Sequence, residues 1–283
     1  MGIVETVSTV QMATLNPVVT QAIALVTHAN AFLHGRVAEP TELLGEHSAF
    51  RTTFELTFDR LGPGERPYPL ADGTAPWLRR IQKEEVPRMH LVLVPLPLER
   101  ATRVAGLPEP RWGLVTEGDV GTELWAPNWT IRIGINAKEV AAPWKVSWQA
   151  EKSTRGVLKG NLEVAEAEEK LGSALKTMAS FVRAMGSDRE KLTFEELLLW
   201  MSDPKLDPQF RAHPDLLENR HYSRPAWRLG VLSSVAAGLF TAAGWKDRRI
   251  ENEQVQEAFD FARAEVWETA IVGLQSAVNS AAT

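Results

Sequence analysis

Apolar residues recur along this chain at two different periods, and the change from one to the other divides it. The run Val18 to His34 places apolar side chains at helical intervals behind Asn16-Pro17, an N-cap followed by proline at the first helical position, and Gly35 can end it. From Phe50 to Asp59 the period falls to two. Phe50, Phe54, Leu56 and Phe58 lie on one face and Arg51, Thr53, Glu55, Thr57 and Asp59 on the other, which predicts a strand with one wet face. Leu61 to Pro76 holds so much proline and glycine that a long irregular surface loop is expected there. His90 to Leu96 reads as an apolar strand whose end is confined by Pro95 and Pro97. Trp129, Ile131, Ile133 and Ile135 alternate with polar residues, as do Trp144, Val146 and Trp148, and the two runs are expected to pair antiparallel.

After Gly160 the spacing becomes helical. Val164, Ala167, Leu171, Leu175, Met178 and Val182 repeat at three and four, with glutamates gathered in the early turns where the helix dipole favours them. Ser187 with Glu190, and Thr193 with Glu196, have capping-box spacing, and one of them should open a short helix that reaches Met201. Pro225 predicts the start of a helix over Ala226 to Trp245, and a last long helix is expected from about Glu251 to Val278. The fold class predicted is therefore α+β: an antiparallel sheet of about four to six strands from residues 50–150, packed with an N-terminal helix and a C-terminal helical half. The switch of period between Lys152 and Asn161 suggests units of 1–155 and 156–283, either distinct or merged into one intimate domain.

Composition removes several function classes. With 283 residues, 44% hydrophobic and 24% charged, the chain has an ordinary globular balance. A net charge of -5 and no dense basic block leave nothing to neutralise phosphates, so nucleic acid is not an expected partner. The absence of cysteine excludes disulfides, thiol catalysis and thiolate metal sites. MGIVETVSTVQM lacks the basic and apolar regions of a signal peptide, and a cytoplasmic location is the expectation. The uncharged run 229–245 just reaches the lower limit for crossing a membrane. Its Ala, Gly, Ser and Thr content argues instead for a buried helix and against a membrane role.

Candidate chemistry is sparse. Ser173 and Lys176 match Ser-x-x-Lys without its companion motifs, and no Gly-x-Ser-x-Gly, phosphate loop or Gly-x-Gly-x-x-Gly occurs. His28 and His34 lie about 240° apart on one helix and cannot share an ion. Glu218 and His221 have the i, i+3 spacing of a bundle metal ligand pair, but there is no second Glu-x-x-His, so no metal or other cofactor is expected. His90, His213, Glu218 and His221 are the candidate acids, bases or ligands of an enzyme, hydrolytic or metal-dependent, with a site between the two halves. Trp125, Trp129, Trp144 and Trp148 are candidates for a stacking platform, although alternating tryptophans more often form core. Gly230, Ser234, Gly238 and Ala242 form a small-residue ridge that lets another helix approach closely, either within the chain or in a second copy. The leading expectation is a binding or protein-interaction module without catalysis. The enzyme stands second and a membrane-active protein using 229–245 third.

Overall fold

A computed structural model describes residues 15–62, 66–94, 103–104, 107–108, 111–118, 121–132, 142–152, 162–185, 188–203, 205, 215–217, 222–239 and 250–280. Within them the elements run α1 (Pro17–Leu33), a 3-10 turn (Ser48–Phe50), β1 (Thr53–Leu61), β2 (Pro67–Asp72), α2 (Thr74–Lys83), β3 (Met89–Val94), β4 (Arg103–Val104), β5 (Leu107–Pro108), β6 (Arg111–Gly118), β7 (Gly121–Ile131), β8 (Trp144–Lys152), α3 (Val164–Ala184), α4 (Asp188–Ser202), α5 (Arg224–Leu239) and α6 (Glu253–Ser280). The fold is α+β. Six strands form one sheet in the order β2-β1-β8-β7-β6-β3, and β4 with β5 makes a separate two-stranded ribbon. The sheet is mostly antiparallel rather than wholly so, because β1 runs parallel to β8.

Register assigns the two faces. Phe58 lies beside Trp148, Trp125 beside Ala150 and Leu114 beside Trp125, so these side chains share one face, and all of them are buried. On this face α2 lays Trp77, Leu78 and Ile81. The Trp77 ring stacks on Phe58 at 4.0 Å, with Trp125 edge-on to both. The opposite face is wet over β1, β8 and β7, where Lys145 pairs with Glu55 and the Ser147 hydroxyl donates to Asp59.

Residues 67–83, expected to be irregular, form β2 and α2 instead. Proline is tolerated in β2 because the strand is an edge, and exposed Pro67 and Pro69 withhold the N–H groups that an added strand would need. The start of α2 takes its cap from far away: the Glu42 carboxylate accepts the N–H groups of Thr74 and Ala75, each at 3.1 Å. Gly73, at φ 91, is required there, since a Cβ would come within 2.6 Å of that carboxylate. The other edge, β3, is closed by side-chain amides. Asn30 of α1 accepts from Met89 N at 2.8 Å and donates to Met89 O at 2.9 Å. Asn279 of α6 does the same for Leu91, at 2.7 and 2.9 Å, with Gln275 donating to the same carbonyl. These amides stand in for a neighbouring strand, and they join the first and last helices to the sheet.

The helical half packs by small residues. In α5 every residue from Leu229 to Leu239 is buried, the behaviour of a helix apolar on all sides. A Cβ on Gly230 would press on Leu217 and on Ala277 of α6, at 3.0 and 3.3 Å, and one on Gly273 would overlap the Ser233 hydroxyl. Such approaches let the two backbones lie close. No helix among the described residues is long and apolar enough to cross a membrane. The halves share one buried cluster that runs from Leu15 to Val278.

Candidate functional site

Three places gather chemistry, and they differ in how much of it is free. The first lies where α1 and the 3-10 turn meet Asp215. The Asp215 carboxylate accepts the Ser48 N–H at 2.7 Å and the Ser48 hydroxyl, and the Asp215 carbonyl lies 3.1 Å from His47 Nε2. His47 Nδ1 accepts the Ala49 N–H at 3.1 Å, which places the ring proton on Nε2 and makes that nitrogen the donor to Asp215. Burial pushes the Asp215 carboxyl up, but the hydrogen bonds from Ser48, with His47 beside it, outweigh burial and hold it below the usual carboxylate range. His28 approaches edge-on, its ring 5.4 Å from that of His47.

Serine, histidine and aspartate are thus together, but not in the order that activates a nucleophile. The hydroxyl gives its proton to the carboxylate rather than to an imidazole, and both His47 nitrogens are engaged with backbone. The cluster ties Asp215 to the 3-10 turn, and a separate hydroxyl pair, Thr27 with Tyr222, ties Tyr222 to the first helix. Nothing local in the sequence announces it, because Ser48 and Asp215 are 167 residues apart.

The second place is His90 and the tryptophans. His90 is 4% exposed on β3, and neither ring nitrogen has a hydrogen-bond partner among the described residues. Burial, helped by the Arg88 charge, lowers its pKa to about 4, so the ring is neutral and offers no acid near neutral pH. His213, Glu218 and His221 lie outside the described residues. Among the described residues no group of three or more histidines and carboxylates is placed to hold a metal ion. Trp125 and Trp148 are fully buried in the sheet core. Trp129 and Trp144 share the same face farther along, half-buried and edge-on at 5.7 Å, next to Ile131, which is 45% exposed.

The small-residue ridge is engaged inside the chain. Gly230, Ser234 and Gly238 are buried in α5, and Ala242 lies outside the described residues. On α6 the small residues Ala258, Ala262, Val266 and Ala270, at similar spacing, are buried only from Ala262 onward, and Ala258 is exposed. The close contact with α5 falls nearer the end of α6, at Gly273 and Ala277.

The third place is unoccupied surface. Thr177 and Phe181 of α3, with Gln254, Glu257, Ala258, Phe261 and Ala262 of α6, line an open and mainly apolar groove of about 560 Å³. Phe181 packs on Phe259, which is buried, while Phe261 two residues on is 73% exposed at the edge of the groove. Residues two apart on a helix project about 200° from each other, so both phenylalanines cannot face the core. That phase conflict is a signal the sequence carries, and it points outward at Phe261. Of the charged residues nearby, Glu257 belongs to the lining. Comparison with protein-family models, with curated proteins and with solved structures finds no match.

Proposed function

We propose that the chain is a protein-interaction module without catalysis, and that its binding surface is the groove between α3 and α6. The observation that carries this reading is Phe261, 73% exposed beside an open apolar groove, where burial by a partner would recover much of the area of a large aromatic side chain. The groove is mainly apolar in its lining, with Phe181, Ala258, Phe261 and Ala262 among it, which suits the apolar face of a helix. An added strand is a poorer fit, since both outer strands of the sheet are closed, β2 by proline and β3 by amides. The junction cluster supports the absence of catalysis from the other side, because its hydroxyl, imidazole and carboxylate are engaged with one another and with backbone.

The test is a photo-crosslinking residue at Ala258, compared with one at exposed Tyr68 on the sheet edge, in the cell that makes the protein. Crosslinked species at position 258 and not at 68 support the reading. Equal labelling at the two positions, or none at 258, overturns it.

A further inference from the structure

We draw no further inference here: the strongest candidate, the apolar patch at the end of the sheet where half-buried Trp129 and Trp144 meet edge-on beside exposed Ile131, carries none, because nothing among the described residues shows what covers it.

Discussion

The sheet and the helical layer solve the same packing problem with opposite materials. The sheet fills its buried face with large rings, Trp77 on Phe58 with Trp125 across both, whereas α5 and α6 meet through Gly230, Ser233, Gly273 and Ala277. A ring core is damaged by removing volume, and a glycine contact by adding it. The difference also separates what is hidden from what is offered: no ring lies at the closest contact of α5 with α6, yet α6 turns one, Phe261, to solvent.

The largest expected effect is in the ring core. Trp125→Ala should destabilise by about 3–5 kcal/mol, read by denaturant unfolding, since Trp125 is fully buried and its indole N–H also donates to Thr116 at 3.1 Å. A loss below about 1 kcal/mol would mean that the sheet core is not packed as described.

Next comes a pH effect at the strand where the two layers meet. His90 has a folded pKa of about 4 against an ordinary 6.5, so between those values the unfolded chain binds the proton and the folded chain does not. Stability is then complete above about pH 6.5 and falls as the pH drops toward 4, by on the order of 2–3 kcal/mol. His90→Leu should remove that part of the pH dependence and, by deleting buried groups that have no partner among the described residues, leave the protein at neutral pH as stable as before or more so. Unfolding curves at pH 7 and pH 4.5 for both proteins check the sign.

Smaller effects sharpen the contrast. Gly273→Val should cost about 1–3 kcal/mol by forcing Ser233 and Leu229 apart, although it adds apolar surface. Asn279→Ala should cost a similar amount, about 1–3 kcal/mol, because the Leu91 N–H loses its acceptor in a buried edge. Its amide should also exchange with solvent deuterium faster than that of Val92.

How much of this was legible in the sequence follows the range of the forces involved. Asn16-Pro17 predicts the start of α1, and the Asn16 side chain does accept the Val18 N–H at 2.9 Å. The alternation at Trp129 and Trp144 predicts the antiparallel pairing of β7 with β8, and Trp129 faces Val146 in the register. Both are local patterns. The strand β2 was hidden because its prolines are acceptable only at an edge, and which strand is an edge is a property of the whole sheet. The start of α2 was hidden because its cap is Glu42, some thirty residues away. Gly113 to Gly118 lie in strand β6, which pairs antiparallel with β7 from Gly121, where φ is 101. The helix α4 begins at Asp188, upstream of the Thr193 capping box, so that box does not open it.

The candidate site divides the same way. The meeting of His47 and Ser48 with Asp215 has no local signature, and the small-residue ridge could be read from spacing but not whether it faced inward. Phe259 and Phe261 could be read as a conflict of phase on one helix. That conflict was legible, and it marks the surface on which the interaction reading depends.

Hydrogen exchange, measured by mass spectrometry on the chain alone and with the protein that crosslinks at position 258, addresses that surface most directly. Protection by that partner confined to α3 and the first half of α6, with the sheet unchanged and the effect absent in Phe261→Asp, is the expected result. Protection that appears on the sheet instead, or on no part of the α3–α6 groove, would contradict an interaction surface built around Phe261.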